Sequence, residues 1–149
     1  TRQYCIQQEE NDKFTSYLDC FNIKNDAAAC MANASINKTK INSCVEKTNN
    51  VYGIMTKLND KSTWLNGRFP VYPIHDNLNY EYNIQGSPTL VINGVQAQTE
   101  RTPEGIKSAI CAAFKNAPSE CLKKLSNTPA TPGFGAGEGV DTGNAGCGN

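Results

Sequence analysis

Apolar residues recur at helical spacing through roughly the first sixty positions of the chain. The first set stands at i, i+3, i+4 and i+7: Phe14, Tyr17, Leu18 and Phe21. This spacing predicts a helix over residues 5–21 with one apolar face. Asn25 and Asp26 can cap a short helix over residues 27–32, and renewed helical spacing predicts a third helix over residues 37–58. We therefore expect this part of the chain to be all helical.

The pattern changes to that of β-strands in the second half of the chain. Over residues 59–85 the helical spacing is lost, and glycine, proline and asparagine predict an irregular connection. Residues 89–92 then form a short β-rich run, and residues 95–99 alternate as a partner strand. Asn93-Gly94 between them is the strongest two-residue hairpin signal. The sequence therefore predicts a β-hairpin.

A capped helix and a tail complete the chain. Thr102, Pro103 and Glu104 supply an N-cap, a first-turn proline and a first-turn carboxylate for a helix that ends near Asn116. From Ser126 onward proline and glycine dominate, which predicts a flexible tail. The predicted organisation is a helical subdomain over residues 1–60, a hairpin with a C-terminal helix over residues 61–125, and the tail over residues 126–149.

Composition and charge exclude several classes of partner. Of the 149 residues, 38% are apolar, and 14 Lys and Arg residues balance 14 Asp and Glu residues. A chain with no net charge lacks the excess of basic residues that binds nucleic acids or anionic membrane surfaces. No apolar run approaches the roughly 18 residues of a membrane span, and residues 1–30 lack the pattern of a signal peptide. We expect neither a nucleic-acid partner nor a membrane span.

The cysteines indicate an oxidising compartment. Seven are present: Cys5, Cys20, Cys30, Cys44, Cys111, Cys121 and Cys147. So many cysteines in a chain of this size are typical of secreted, periplasmic or cell-surface proteins. Zinc sites use closely spaced ligand pairs, whereas these cysteines lie at least ten positions apart and His75 is the single histidine, so we expect no metal and no cofactor.

The spacing of the cysteines suggests two local disulfides, one between Cys20 and Cys30 and one between Cys111 and Cys121. Connectivity as a whole cannot be deduced from the sequence, since six cysteines can pair in about 15 ways. Cys147 is odd in number and lies in the glycine-rich tail. It pairs with Cys5, pairs with another chain, or remains a free, exposed thiol.

Two other kinds of short pattern could indicate a catalytic or a modification site. His75 precedes Asp76, but no nucleophile can be assigned beside this pair, so we interpret it as a packed or solvated loop histidine. Asn33-Ala-Ser35 and Asn37-Lys-Thr39 match the acceptor pattern for N-glycosylation. This pattern is short and common by chance, and it matters only in a eukaryotic or archaeal source.

The segment that contains Gly86-Ser87-Pro88-Thr89 and leads into Leu-Val-Ile-Asn-Gly resembles the last third of DsbA-like thioredoxin-fold proteins. In that family the proline is cis and opens a β-hairpin that a C-terminal helix follows. The resemblance implies a cis Ser87–Pro88 bond and a loop whose backbone binds an extended substrate polypeptide. The helical segment over residues 5–58 likewise resembles the helical insertion of the family, and the likeness extends over roughly residues 3–122.

The chain departs from the family pattern in one decisive respect. Family members begin with a strand, a Cys-x-x-Cys motif at a helix start and a second strand, and the helical insertion comes afterwards. This chain starts within the part that resembles the insertion, and no two of its cysteines lie three positions apart. The expected fold class is therefore α/β, thioredoxin-like but incomplete, and we assign no catalytic residue.

An incomplete sheet predicts a partner. A lone hairpin is marginal in water, and its first strand would leave an open edge. A precursor segment or separate chain, a second copy of this chain, or the C-terminal tail could cover it. One hypothesis is a portion of a DsbA-like thiol-disulfide exchange protein that lacks its own dithiol. The alternative is a secreted, non-catalytic binding or self-assembling structural module that uses the exposed edge.

Overall fold

The computed structural model of the chain describes residues 1–129. These residues are mostly helical, with one small two-stranded antiparallel sheet and three disulfides. They divide into two compact units, residues 1–74 and residues 75–129. Residues 130–149 of the predicted tail, with Cys147, lie outside the described residues. Within residues 1–129 no helix has the length and apolar character needed to cross a membrane.

The first unit is built from helices. Its five α-helices are α1 (Arg2–Glu9), α2 (Asn11–Lys24), α3 (Ala27–Asn33), α4 (Lys38–Tyr52) and α5 (Ile54–Asn59). Two 3-10 helices follow, Lys61–Thr63 and Pro73–His75, and the last residue of the second already belongs to the second unit. The prediction that roughly the first sixty residues are all helical is confirmed.

Two of the predicted helices are each divided in two. The helix predicted over residues 5–21 breaks at Glu10, which has φ −146° and ψ 55°. The Glu10 carboxylate accepts hydrogen bonds from Lys13 Nζ at 3.0 Å and from the Asn37 amide at 3.1 Å. These bonds stabilise the break and hold the pKa of Glu10 below its ordinary value. The helix predicted over residues 37–58 breaks at Gly53, whose φ of +60° is easily adopted by glycine.

Side-chain caps fix where two of the helices begin. The Asp26 carboxylate accepts hydrogen bonds from the amides of Ala28 and Ala29, both at 3.0 Å. At the start of α4, Asn37 Oδ1 accepts a hydrogen bond from the Lys40 amide, also at 3.0 Å. Each cap satisfies backbone donors that have no partner within the first helical turn.

The hydrophobic core lies within the first unit. Its buried members are Cys5, Ile6, Tyr17, Cys30, Met31, Ile36 and Ile41. Tyr17 is the largest of the fully buried side chains, and its ring stacks on Phe21 with centroids 5.6 Å apart. Burial raises the pKa of the Tyr17 hydroxyl. The core thus joins side chains from α1, α2, α3 and α4.

Disulfides join the helices that pack together. Cys5–Cys44 links α1 to α4 with Cα atoms 5.8 Å apart, and Cys20–Cys30 links α2 to α3 with Cα atoms 5.5 Å apart. Cys5 and Cys30 are fully buried. The structure therefore contains the Cys20–Cys30 pair that the spacing suggested, and it pairs Cys5 with Cys44 rather than with Cys147.

The second unit contains the hairpin. Its elements are α6 (Asp76–Glu81), β1 (Val91–Ile92), β2 (Val95–Gln96), α7 (Pro103–Ala112) and the 3-10 helix Ser119–Leu122. Both strands are shorter than predicted, α7 ends four residues before the predicted position, and α6 was not predicted. Thr102 caps α7 as expected, since its Oγ1 accepts a hydrogen bond from the Gly105 amide at 2.9 Å.

The two disulfides of the first unit should differ in their effect on stability. The Cys5–Cys44 bond spans 39 residues and the Cys20–Cys30 bond spans 10. By the chain-entropy relation these loops correspond to about 4 and about 3 kcal/mol at 25 °C. We expect the double variant Cys5→Ala/Cys44→Ala to unfold at a lower urea concentration than its matched control Cys20→Ala/Cys30→Ala, as followed by far-UV circular dichroism. Equal loss in both variants would contradict this ranking.

Candidate functional site

The segment before the hairpin is an exposed loop. Gly86, Ser87, Pro88 and Thr89 are all exposed, and the Ser87–Pro88 peptide bond is cis. The Thr89 hydroxyl donates a hydrogen bond to the Gly86 carbonyl at 2.6 Å, which closes the loop on itself. The four residues named from the family resemblance therefore lie together on the surface, directly before β1.

The register of the hairpin determines which backbone groups face outward. Ile92 pairs with Val95 across the turn and Val91 pairs with Gln96. The Ala97 amide donates to the Leu90 carbonyl at 2.8 Å. Hydrogen-bonded and non-hydrogen-bonded pairs alternate in an antiparallel ladder, so Val91 and Gln96 form a non-hydrogen-bonded pair. The N–H and C=O of Val91 consequently point away from β2.

The outer side of β1 is an open edge. The sheet has two strands, so within residues 1–129 no further strand pairs with β1. Unpaired N–H and C=O groups along such an edge are a template for another strand. The edge at Val91 continues the exposed Gly86–Thr89 loop, and together they form the candidate site, which we call the Pro88 edge.

Side-chain amides brace the hairpin on its other side. Gln96 Nε2 donates to the carbonyls of Tyr82 and Asn83 at 2.7 and 3.1 Å. At the turn, Asn93 and Gly94 have φ of +50° and +81°, as a two-residue hairpin of type I′ requires. Asn93 Nδ2 also donates to the Ala113 carbonyl at 3.3 Å. These bonds connect β2 to the end of α6 and the turn to the end of α7, and none of them involves the backbone of Val91.

A polar clasp holds the segment after α7 against that helix. The Glu104 carboxylate binds Lys107 Nζ at 2.7 Å and accepts a hydrogen bond from the Leu125 amide at 2.7 Å. Lys107 Nζ also donates to the Lys123 carbonyl. The hydrogen bonds to Lys107 and Leu125 lower the pKa of Glu104. The Cys111–Cys121 disulfide closes the same segment with Cα atoms 5.8 Å apart, and it is the second pair that the spacing suggested.

The apolar face of α7 remains largely exposed. Ile106 and Ile110 are each 41% exposed, and Phe114 just beyond the helix is 50% exposed. Ile106, Ile110 and Leu125 line an open groove of about 400 Å³ whose surface is almost entirely apolar. Within residues 75–129 no apolar side chain is fully buried. The second unit thus has an amphipathic helix and a sheet edge but no hydrophobic core of its own.

The described residues contain no free thiol. All six cysteines within residues 1–129 are in disulfides. In the same part of the chain, no cluster of three or more His, Cys, Asp or Glu side chains could hold a metal ion. His75 is exposed at the end of a 3-10 helix, next to Asp76, with no thiol nucleophile in the described chain for it to activate. The reactive element of a thiol-disulfide enzyme is therefore not found among these residues.

No family model, curated protein or solved structure matches this chain. The chemistry of the Pro88 edge is consequently inferred from its own geometry. Sequence reasoning identified the Gly86–Thr89 loop and an open edge along the strand over residues 89–92, but it did not single out Val91 or Gln96. A signal for Val91 was available, because the backbone N–H and C=O of the second residue before a two-residue turn such as Asn93-Gly94 point away from the partner strand. The bonds from Gln96 to α6 had no sequence signal, since α6 itself was hidden in an asparagine-rich stretch.

Proposed function

We propose that this chain is the helical and cis-proline portion of an extracytoplasmic, DsbA-like thioredoxin-fold protein of the thiol-disulfide exchange type. In this proposal the Pro88 edge binds an extended polypeptide by strand addition. The catalytic dithiol comes from a Cys-x-x-Cys segment outside residues 1–149, either on the same precursor or on a separate chain. The three disulfides of the described residues are structural.

The observation that carries the proposal is the open edge at Val91 beside the exposed Ser87–Pro88 loop. Backbone N–H and C=O groups at a sheet edge bind a peptide with little regard for its side chains. Such binding suits a protein that acts on many unfolded substrates. It also leaves the cysteine of the substrate as the only side chain that must be positioned for chemistry.

The exposed face of α7 supports the need for a complementary segment. A helix whose apolar face is uncovered, beside a two-stranded sheet, gains stability when further strands pack on it. In a thioredoxin-like arrangement those strands would carry the Cys-x-x-Cys motif at the start of a helix. A helix N-terminus lowers the pKa of a cysteine thiol and so supplies the thiolate that attacks a disulfide.

A second candidate function rests on the paired cysteines. Because all six cysteines of the described residues are in disulfides, the chain also suits a secreted, non-catalytic binding or assembly module. In this alternative, a partner strand or the edge of a second copy pairs with β1 permanently. Both candidates use the Pro88 edge, and they differ in whether a dithiol faces it.

Proline substitution at Val91 tests strand binding at the Pro88 edge, which both candidate functions require. Val91→Pro removes the outward N–H without removing a hydrogen bond to β2. We expect it to weaken the binding of fluorescein-labelled, carboxymethylated insulin B chain, an extended polypeptide, by at least about tenfold in Kd, which corresponds to about 1.4 kcal/mol. Gln98→Pro introduces the same ring on the other arm of the hairpin and serves as the control. Equal affinity of both variants and the unsubstituted chain would contradict binding at this edge.

Reduction of insulin by dithiothreitol distinguishes the two candidates. We expect no acceleration by the chain alone, because no two of its cysteines form the Cys-x-x-Cys pair that catalyses this exchange. The encoding gene then decides between the candidates. A strand with Cys-x-x-Cys encoded upstream of Thr1 supports the exchange protein, and restoring that segment should produce turnover. A signal peptide directly before Thr1 supports the module. Turnover by residues 1–149 alone would contradict a structural role for these cysteines.

A further inference from the structure

The turn between α3 and α4 holds both acceptor patterns for N-glycosylation. Asn33 is the last residue of α3, and Asn37 is the N-cap of α4. Asn33, Ser35, Asn37 and Thr39 are all exposed. Ile36 between them is buried in the core, so the turn is anchored by an apolar side chain while its polar side chains face solvent.

Ion pairs and hydrogen bonds hold this turn in one conformation. Lys13 Nζ binds Glu10 at 3.0 Å and donates to the Ser35 carbonyl at 2.8 Å. Glu10 in turn accepts from the Asn37 amide at 3.1 Å. Lys40 Nζ donates to the Glu9 carbonyl at 2.6 Å. The backbone at Asn37 is therefore attached to the break between α1 and α2, and its side chain projects from a fixed position.

The two atoms of the Asn37 amide have separate roles. Oδ1 accepts the capping hydrogen bond from the Lys40 amide at 3.0 Å, whereas Nδ2 makes no hydrogen bond within residues 1–129. A glycan on Nδ2 would leave Oδ1 free to accept the same bond, so the cap and the modification are compatible. Asn33 differs, because its Nδ2 donates to Cys20 Sγ at 3.6 Å, beside the Cys20–Cys30 disulfide.

Thr39 supplies the hydroxyl group of the Asn37 acceptor pattern. It lies exposed in the first turn of α4, and its hydroxyl makes no hydrogen bond within the described residues. Threonine is also a mediocre helix former. The acceptor pattern, in contrast, requires a serine or threonine two positions after the asparagine, and Thr39 meets this requirement.

We propose that Asn37 is an N-linked glycosylation site. The inference rests on the proposed extracytoplasmic location and not on thiol-disulfide exchange. Nδ2 attacks the anomeric carbon of a polyprenyl-phosphate-linked oligosaccharide, and a carbon–nitrogen bond forms. The bond between that carbon and the lipid phosphate breaks, the lipid phosphate leaves, and the amide proton passes to a base of the transferase.

The direct test is mass spectrometry of protein from its native source. Peptides that contain Asn37 are treated with peptide N-glycosidase in heavy-oxygen water, which converts a glycosylated asparagine to labelled aspartate. We expect labelled aspartate at position 37. Unlabelled asparagine there would overturn the inference. Non-reducing peptide mapping of the same sample distinguishes this failure from failure of the proposed compartment, since intact disulfides with unmodified Asn37 reject glycosylation alone.

Variants secreted from a eukaryotic host separate the acceptor role from the capping role. Thr39→Ala removes the acceptor hydroxyl and leaves the Asn37 cap intact, so it should lose one glycan and keep the helical circular dichroism. Thr39→Ser should retain that glycan. Ser35→Ala removes only the Asn33 pattern and should not alter occupancy of Asn37. A glycan at Asn37 in the Thr39→Ala variant, or its loss in Thr39→Ser, would overturn the proposal.

Discussion

The Cys5–Cys44 disulfide, with the fully buried Tyr17 in the same core, is the constraint on which the helical unit depends. It connects the first helix to the fourth across a sequence separation of 39, and the chain between the two cysteines contains all of α2 and α3. A core of seven fully or nearly buried side chains is small, and covalent links are a common means of stabilising so small a core. The break at Glu10 separates α1 from α2, and both helices contribute side chains to that core.

The second unit lacks any comparable constraint. Its disulfide, Cys111–Cys121, closes a local loop of 10 residues, and its polar clasp joins only α7 to the segment that follows. Both place Leu125 beside Ile106 and Ile110, but they leave all three side chains at least 41% exposed. In the proposed function, the partly exposed Ile106 and Ile110 and the open edge at Val91 are both surfaces that a complementary segment would cover. A partner that covers both would supply strands and apolar contacts at once, and the proposed function follows from this requirement.

Local features of the fold could be predicted from the sequence, whereas distant ones could not. The Thr102 cap and the Asn93-Gly94 turn were predicted at the right positions, and Asp26 was one of two predicted caps, because caps and tight turns depend on neighbouring residues. The break at Glu10 was missed, because one of its two stabilising partners, Asn37, is 27 positions away. The Cys5–Cys44 pair was missed for the same reason. Of the candidate site, the loop at Ser87–Pro88 was identified from its resemblance to a family, but the outward direction of Val91 required the register of the hairpin.

Amide hydrogen exchange of the isolated, oxidised chain tests most directly whether the second unit lacks a stable core. The comparison is between two amides of hydrogen-bonded secondary structure, that of the buried Tyr17 in α2 and that of Ala97, which donates to Leu90 in the hairpin. Exchange reports the free energy of the opening that exposes each amide. We predict strong protection at Tyr17 and little at Ala97. Equal strong protection at both positions would contradict an incomplete second unit, and with it the need for a complementary segment.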